Sequence, residues 1–381
     1  MSSLYLHIPF CEHKCIYCDF YSLVPAGSPQ EHHSTIDRFL RGLETEIQMR
    51  GEDSRYREPV ETIFFGGGTP SLLHPSEMEK ILHLLASQFS IAEDAEITLE
   101  TNPGTVDKKK LTEYRSAGIN RLSIGIQSFH DDDLKFLTRI HSAAEAKQCV
   151  RDAFAAGFQN VSFDLIFSLP GQTLQRWASN LEQALGLHPQ HISCYSLIVE
   201  PETPLFRMVQ TKEVALLDVD ADAELYEYTI HTLTNHGFEH YEISNFAKPG
   251  YSCRHNINYW NHTHYLGFGP SAHSFWDKER WWNVSDIGTY VTQLETAAFP
   301  LGGGEHLTEA QMMEEALFLG LRSGGVDLEH FRRRFGCDLL VEHAPTISEI
   351  IQQGNAQIVH GRLRLTSKGY VVCDAICQMF H

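Results

Sequence analysis

The sequence of 381 residues lacks several features that would place it in particular classes of protein. No apolar run approaches 18 residues and no basic amino-terminal region precedes an apolar core, which argues against a membrane-spanning helix and a secretion signal. Lys and Arg are scarce, with 30 against 49 Asp and Glu, and the formal net charge is −19. Because this charge repels polyanions, we expect no nucleic-acid partner. We expect a cytoplasmic protein, with peripheral membrane association as an open alternative.

The sequence also lacks an even set of cysteines that could pair completely as disulfides. The nine cysteines are odd in number, and six of them are scattered along the chain, at positions 149, 194, 253, 337, 373 and 377. This pattern is typical of a reducing compartment in which most cysteines are buried thiols. Cys373 and Cys377 are spaced i and i+4, which predicts two core-facing positions of a helix rather than a metal site.

The other three cysteines, Cys11, Cys15 and Cys18, lie within eight residues. Three thiols cannot complete a four-ligand structural zinc site, so either a fourth protein ligand exists or one coordination position is open. A [4Fe-4S] cluster on three thiolates leaves one iron free to chelate the amino and carboxylate groups of a small molecule. Zinc with His7 or His13 as fourth ligand is the alternative, and a disulfide is disfavoured.

Short runs of β-branched and aromatic residues alternate with longer amphipathic segments, which predicts βα units around a parallel sheet. The predicted strands are Leu4–Ile8, Glu61–Phe65, Ala95–Glu100, Asn120–Ile126, Asn160–Phe167 and Gln190–Val199. The predicted helices are Pro29–Arg50, Pro75–Phe89, Asp107–Ala117, Ala143–Ala156, Leu174–Leu187 and Asp220–Asn235. The phrases Ala117–Ile124 and Ala156–Phe163 are nearly alike, which marks a repeated helix-Gly-strand unit. This pattern fits an open doubly wound sheet and a partial barrel equally well.

Residues that are unusual for buried strands lie where the predicted strands end. The cysteine loop follows the first strand, a glycine run follows the second, Glu100 ends the third and Gln127 follows the fourth. Asp164 stands alone among apolar neighbours in the fifth. Three consecutive glycines permit a close backbone approach, and a buried carboxylate needs a hydrogen-bond donor. Because the carboxyl ends of barrel strands meet at one rim, we predict a site there.

Residues 239–305 are rich in aromatic residues and histidine, and they end in Gly302–Gly304, which is predicted to be a linker. Beyond it, three predicted helices, a hairpin and a last helix indicate a small winged-helix-like module. We therefore divide the chain into a core at 1–238, a connecting segment at 239–305 and a carboxy-terminal domain at 306–381. The basic run Arg332–Arg334 is predicted to be a solvated helix face rather than a DNA contact.

The cysteine spacing resembles that of radical S-adenosylmethionine (SAM) enzymes. Together with the rim residues, the whole chain resembles the branch that contains oxygen-independent coproporphyrinogen III dehydrogenases and haem chaperones of the HemW type. The resemblance implies an α/β fold, a partial (β/α)6 radical SAM barrel with a small carboxy-terminal winged-helix-like domain. It implies a [4Fe-4S] cluster on Cys11, Cys15 and Cys18. It also implies a SAM site lined by Tyr5, Tyr17, Gly67, Gly68, Thr69, Glu100, Gln127, Arg139 and Asp164, with a second SAM left open.

Two differences from the dehydrogenases favour the chaperone type. The dehydrogenases carry a further cysteine where this sequence has Phe20, and a long extension where only Met1–Ser3 precedes the first strand. The segment from His255 to Trp260 matches the His-Asn-x-x-Tyr-Trp motif associated with HemW. Imidazole ligates haem iron and aromatic rings offer flat apolar surface, so the resemblance implies haem contacts. The residues concerned are His255, Asn256, Tyr259 and Trp260; the alternative is that these aromatic residues pack in the core and His255 caps a loop.

The resemblance implies a haem chaperone that binds a [4Fe-4S] cluster, SAM and haem and transfers haem to acceptor haemoproteins. Membrane-bound respiratory components are candidate acceptors, and a homodimer is a candidate assembly. The alternative is the dehydrogenase itself, which decarboxylates coproporphyrinogen III oxidatively; we do not expect this activity. A zinc-stabilised barrel with a binding module is a third hypothesis. No catalytic residue and no electron donor are assigned.

Overall fold

The computed structural model describes residues 1–24 and 29–380 of the chain. The strands are β1 (Ser2–Ile8), β2 (Val60–Gly67), β3 (Ile91–Thr101), β4 (Arg121–Gln127), β5 (Val161–Phe167), β6 (His191–Ser196), β7 (Glu239–Glu242), β8 (Asn245–Ala247), β9 (His264–Phe268), β10 (His273–Trp276), β11 (Glu279–Asn283), β12 (Leu301–His306), β13 (Val326–Asp327), β14 (Ala356–Val359) and β15 (Arg362–Leu365). The helices are α1 (Pro29–Gly51), α2 (Pro75–Gln88), α3 (Lys108–Ala117), α4 (Asp131–Phe136), α5 (Ala143–Ala155), α6 (Leu174–Leu185), α7 (Pro204–Gln210), α8 (Val219–Asn235), α9 (Arg254–Trp260), α10 (Ile287–Glu295), α11 (Glu309–Leu321), α12 (Leu328–Phe335), α13 (Leu339–Glu342), α14 (Ala344–Gln352), α15 (Ser367–Val371) and α16 (Cys373–Gln378).

The main sheet has twelve strands in the order β12-β11-β10-β9-β1-β2-β3-β4-β5-β6-β8-β7. Strands β1 to β6 are parallel and follow the order of the sequence, with helices between them. The predicted strands and helices of the first 235 residues are therefore confirmed, with ends that differ by a few residues. The helices α4, α7, α9 and α10 were not predicted.

The repeated phrase has a structural cause in its glycine. Gly118 and Gly157 each follow a helix with a positive φ, 115° and 92°, where a side chain would be strained. The next residue, Ile119 or Phe158, is fully buried and leads directly into a strand. The glycine thus reverses the chain between helix and strand, as the repeat predicted.

The side chains of the six parallel strands alternate between an apolar outer face and a polar inner face. On β1 the residues Leu4, Leu6 and Ile8 are buried within the hydrophobic core. The positions between them carry polar groups, and the same alternation continues on the neighbouring strands. The inner positions include Ser3, Tyr5, His7, Thr62, Glu96, Thr98, Glu100, Arg121, Ser123, Ser162, Asp164, His191 and Ser193. The barrel therefore has a polar interior.

The segment from 239 to 305 adds six strands to this sheet. Strands β7 and β8 extend it beyond β6, and β9 pairs in parallel with β1 and continues through β10, β11 and β12. The predicted linker at Gly302–Gly304 is wrong, because these residues lie in β12. A side chain at Gly303 would overlap the indole of Trp282 on β11, so glycine here allows an aromatic ring to lie over the strand.

A buried carboxylate fastens this extension to the barrel. Glu46 on α1 is fully buried and accepts hydrogen bonds from the Tyr290 hydroxyl (2.7 Å), the Asn283 amide (2.7 Å) and the Gly269 backbone N–H (2.9 Å). Three donors offset the cost of burying a carboxylate. Burial is the largest effect and raises the pKa of Glu46, while these donors lower it.

The predicted carboxy-terminal elements are all present, from α11 to the hairpin of β14 and β15. A short strand, β13, pairs with β15 and completes a three-stranded sheet that was not predicted. Cys373 and Cys377 are both buried on α16, as predicted. The division of the chain into three parts stays a prediction; residues 25–28 and 381 lie outside the described residues.

Candidate functional site

The cysteine loop is anchored at Cys11 and at Ile16 by hydrogen bonds of its backbone groups. The Cys11 N–H donates to the Leu23 carbonyl at 2.9 Å, and the Ile16 N–H donates to the Thr138 hydroxyl at 3.2 Å. The Ile16 carbonyl accepts from the Leu205 N–H at 3.0 Å. The loop is therefore held by residues from distant parts of the chain, and its three thiols lie at the carboxyl end of β1.

A chain of side-chain hydrogen bonds connects two of the thiols. Thr69 donates to the Cys11 Sγ at 3.5 Å and accepts from the Asn102 amide at 2.9 Å. The Arg139 guanidinium donates to the Asn102 amide oxygen and contacts the Cys15 Sγ at 3.6 Å. Donors directed at sulfur stabilise thiolates. Thr69 and Arg139 were predicted for this rim, whereas Asn102 was not.

The loop and the strand ends enclose a cavity of about 500 Å³. Its walls include the three predicted cluster cysteines and eight of the nine residues predicted for SAM, namely Tyr17, Gly67, Gly68, Thr69, Glu100, Gln127, Arg139 and Asp164. The ninth, Tyr5, does not line the cavity. Its ring lies beneath the carboxyl end of the barrel, with its hydroxyl 3.1 Å from the His7 Nδ1. The predicted residues in these walls come from five of the six βα units, and Tyr195 of the sixth unit also lines the cavity.

Two partly buried carboxyls, Glu100 and Asp164, dominate the electrostatics of the cavity. Burial, followed by the proximity of Asp164, raises the pKa of Glu100 to about 8. Burial also raises the pKa of Asp164, against hydrogen bonds from Ser193 and Ser123 that lower it. The Ser123 hydroxyl lies 3.1 Å from both Asp164 carboxylate oxygens. Two carboxyls that resist ionisation together favour a cationic ligand between them.

The glycine run permits a close backbone approach, as predicted, and the approaching backbone is that of the cysteine loop and the residues before it. The Gly68 and Thr69 N–H groups donate to the Ile8 and Phe10 carbonyls, at 2.9 and 2.7 Å, so these donors are not available to a ligand. The Gly67 N–H hydrogen-bonds the Glu100 carboxyl. A Cβ at Gly68 would lie 2.6 Å from the Phe10 carbonyl oxygen. Glycine is therefore required where the loop approaches β2.

The residues of this rim fit a cluster bound by three thiolates with one open position. The three thiols face one cavity, and Arg139 offsets negative charge beside Cys15. The zinc alternative with His7 as ligand gains no support, because the His7 Nδ1 lies 3.1 Å from the Tyr5 hydroxyl and its Nε2 lies 2.8 Å from the Tyr21 carbonyl. In the described ranges, no three His, Cys, Asp or Glu side chains are arranged around a single metal ion.

The motif residues predicted for haem lie elsewhere. His255 is buried, with its Nδ1 2.7 Å from the Thr62 hydroxyl and its Nε2 3.0 Å from the Tyr259 hydroxyl. The carboxylate of Glu96 accepts the backbone N–H groups of Arg254 and His255 at 3.2 Å and so caps the first turn of α9. Burial lowers the pKa of His255 to about 3.

This motif lies at the opposite end of the barrel from the cysteine loop. Its contacts on the sheet include Ser3, Thr62 and Glu96, which are paired in register near the beginnings of β1 and β2 and at the middle of β3. At about 3.3 Å per residue, Ser3 and Ile8 are separated by ~16 Å along β1. With both ring nitrogens bonded within the protein, His255 is not positioned to ligate iron in this conformation. The role of His255 as a haem contact stays a prediction, and the burial of its side chain argues against it.

The geometry agrees with two comparisons between this sequence and known proteins. Residues 5–184 match the family model of the "Radical SAM superfamily" and residues 307–372 match the "HemN C-terminal domain". The chain is 34% identical over 383 residues to "Heme chaperone HemW" of Bacillus subtilis (strain 168), covering 100% of this chain and 99% of that one. This chain belongs to the HemW family. A relative of the same name in Escherichia coli (strain K12) is 42% identical over 271 residues, covering 71% of this chain and 69% of that one.

Among solved structures, coproporphyrinogen III oxidase (HemN) from Escherichia coli is similar, with a TM-score of 0.84 at 24% identity; the match covers 100% of this chain and 89% of that one. This similarity confirms the predicted α/β radical SAM fold with its carboxy-terminal domain. The superfamily match implies a [4Fe-4S] cluster and SAM as cofactors of this HemW-family chain. No helix in the described residues combines the length and the apolar composition needed to cross a membrane.

Sequence reasoning missed several residues of the cavity. Asn102, Ser123 and Gly125 line it together with Ile198. The signal for Ser123 and Gly125 was present, because on β4 they alternate with the buried apolar residues that face the helices. Asn102 is the first residue after β3 and lies two positions beyond the predicted Glu100. A prediction extended by two residues past Glu100 would have included it.

Proposed function

We propose that this protein is a haem chaperone that holds a [4Fe-4S] cluster and SAM at the carboxyl end of its barrel, binds haem and transfers it to acceptor haemoproteins. The observation that carries the proposal is the 34% identity, over essentially the full length of both chains, to a relative named "Heme chaperone HemW". The cavity at the cysteine loop supports the cofactor part, because it brings three thiols and two partly buried carboxyls together.

We assign Cys11, Cys15 and Cys18 to the cluster and the cavity-lining residues to SAM. When bound, the reduced cluster supplies the electron that cleaves SAM. The protein's own contribution is to orient the ligand and to exclude water. Glu100 and Asp164 would pair with the cationic groups of SAM, while Arg139 and Thr69 direct donors at the cysteine sulfurs. Tyr5 would support Glu100 from beneath rather than contact SAM, since it does not line the cavity.

The dehydrogenase alternative has less support. The structural similarity to HemN, at 24% identity, reports the fold alone. Phe20, at the position where the resemblance led us to expect cysteine in a dehydrogenase, is 63% exposed at the cavity. An exposed aromatic side chain at the entrance offers apolar surface but no atom that could ligate a metal. We further propose that acceptors include membrane-bound respiratory components.

The test is anaerobic reconstitution of the cluster followed by two parallel assays on the same preparation. Haem binding and transfer to an apo-haemoprotein are followed by absorbance, and decarboxylation of coproporphyrinogen III is followed by product analysis. We expect stable haem binding and transfer without decarboxylation. Decarboxylation without stable haem binding would refute the proposal.

A matched pair of variants distinguishes the cysteines assigned to the cluster from the other cysteines of the chain. Cys15→Ser should abolish reconstitution of the cluster, whereas Cys149→Ser, at a buried cysteine of α5, should leave it intact. If both variants reconstitute equally, the assignment of the cysteine loop is wrong.

A further inference from the structure

A second cavity, of about 470 Å³, lies between the end of α9 and the carboxy-terminal domain. We call it the C-domain groove. The α9 side contributes Trp260 and His262, and the floor is formed by α11. Opposite lies α12, with Phe331 buried and His330 exposed. The groove is as large as the cavity at the cysteine loop, and the cofactors proposed above do not occupy it.

The groove concentrates positive charge in an acidic chain. Three arginines, Arg333, Arg334 and Arg362, line it, whereas Asp327 is its one acidic lining residue. Asp327 is occupied, since it caps α12 through the His330 N–H at 2.9 Å and lies 3.5 Å from Arg362. Arg333 also lies 3.9 Å from the exposed Glu329 carboxylate, which is a weak surface pair, so the groove keeps a surplus of positive charge that favours an anion.

The other lining residues include apolar and aromatic side chains beside the polar Asn261 and Ser323. Trp260 and Phe335 are partly buried, and Phe331 and Val326 are almost fully buried. Flat aromatic surface beside arginines suits a ligand with an apolar planar body and anionic substituents. Haem has this composition, with a macrocycle, two propionates and an iron that accepts an imidazole.

The arrangement on α12 places one imidazole beside two guanidinium groups. Arg333 and Arg334 follow His330 at i+3 and i+4, so the Cβ of His330 lies about 5–6 Å from that of each arginine on the helix surface. His262 is less suited as a ligand, because its Nε2 lies 2.8 Å from the Glu315 carboxylate and its Nδ1 is buried. His330 is therefore the imidazole that can turn towards a bound iron.

We infer that the C-domain groove is the haem-binding site, in which Trp260 covers the macrocycle, His330 ligates the iron and Arg333 and Arg334 pair with the propionates. The inference rests on the proposed function, because haem is taken from it as the ligand. It assigns a different role to the motif on α9. His255 and Tyr259 position the helix on the sheet, and Trp260 alone of the predicted haem residues reaches the groove.

The test uses the full chain and two probes, haem and its iron porphyrin dimethyl ester, which lacks propionate charge. The double variant Arg333→Ser/Arg334→Ser should weaken haem binding about tenfold, because it removes two charge contacts, and should leave binding of the ester unchanged. Arg332→Ser is the control, since Arg332 is exposed on the same helix but does not line the groove. Equal losses for both probes, or no loss, would overturn the inference.

Iron ligation is tested by spectroscopy. His330→Ala should change the Soret band and the spin state of bound haem, while His83→Ala, at an exposed histidine of α2, should not. An unchanged spectrum in His330→Ala would overturn the assignment of the ligand. Phe20→Glu at the entrance of the barrel cavity should leave haem binding intact. Loss of haem binding in this variant would show that haem binds in the barrel cavity and not in the C-domain groove. If the unaltered chain binds no haem, the proposed function itself fails together with the inference.

Discussion

Replacement of Glu100 by Gln is expected to stabilise the ligand-free protein at alkaline pH while it weakens the binding of SAM. The Glu100 carboxyl lies partly buried in the cavity wall, and its pKa is raised from 4.5 to about 8, first by desolvation and then by Asp164. At 1.36 kcal/mol for each pH unit between the two values, ionising this carboxyl in the folded protein costs ~5 kcal/mol in full.

The sign of the effect follows from the two states. Below pH 4.5 the carboxyl is protonated in the folded and the unfolded chain, so it makes no pH-dependent contribution. As the pH rises towards 8 the unfolded chain releases the proton and the folded chain retains it, so stability falls; above pH 8 the loss is constant. Because Gln carries no charge, Glu100→Gln removes this pH-dependent loss of stability. Because Asp164 shares the site and takes over part of the penalty, we expect a gain of ~2–4 kcal/mol at pH 8.5.

The assay is urea unfolding of the cluster-free protein, followed by circular dichroism at pH 5 and pH 8.5. The midpoint of Glu100→Gln should exceed that of the unaltered protein at pH 8.5 and approach it at pH 5. Glu93→Gln, at an exposed position of the same strand, is the control and should follow the unaltered protein at both values. A gain of equal size at both pH values, or a loss at pH 8.5, would refute the reasoning.

Three further predictions concern the loop, the cation beside it and the extension of the sheet. Gly68→Ala should prevent cluster reconstitution, measured by iron content, because its Cβ would lie 2.6 Å from the backbone of the cysteine loop. Arg139→Gln should leave the fold intact but slow reconstitution several-fold, since the cation beside Cys15 is lost; unaltered kinetics would contradict this role. Tyr290→Phe should lower the free energy of unfolding by ~1–3 kcal/mol, because a donor to buried Glu46 is lost, and urea unfolding at pH 7 should detect the difference.

The first half of the chain could be predicted closely because each βα unit carries its own local signals. The strands are short and apolar on one face, and helix ends are marked by caps such as Ser142 with Glu145 and by glycines at positive φ. The rim residues followed from their position at the strand ends. Ser123, like Asp164, was accessible from the alternation of polar and apolar residues on its strand.

The extension of the sheet was harder to predict because its signals are not local. Gly302–Gly304 has the composition of a linker, but it forms a strand that pairs with β11, where Trp282 lies over Gly303. Likewise, no local pattern shows that Glu46 on α1 will accept hydrogen bonds from residues more than 220 positions away in the chain. Tertiary contacts decide such elements, and one sequence read in isolation does not contain them.

The motif on α9 shows why residue types alone do not fix a role. His255 is chemically able to ligate iron, but the fold uses both of its nitrogens to dock α9 against β2 and against its own Tyr259. Because Glu96 also caps the helix from β3, α9 is fixed to the barrel at its first turn, and its last residue, Trp260, projects into the groove. The His-Asn-x-x-Tyr-Trp motif would then mark a helix that places a tryptophan in the C-domain groove. The imidazole for haem would come from a domain that the motif does not include.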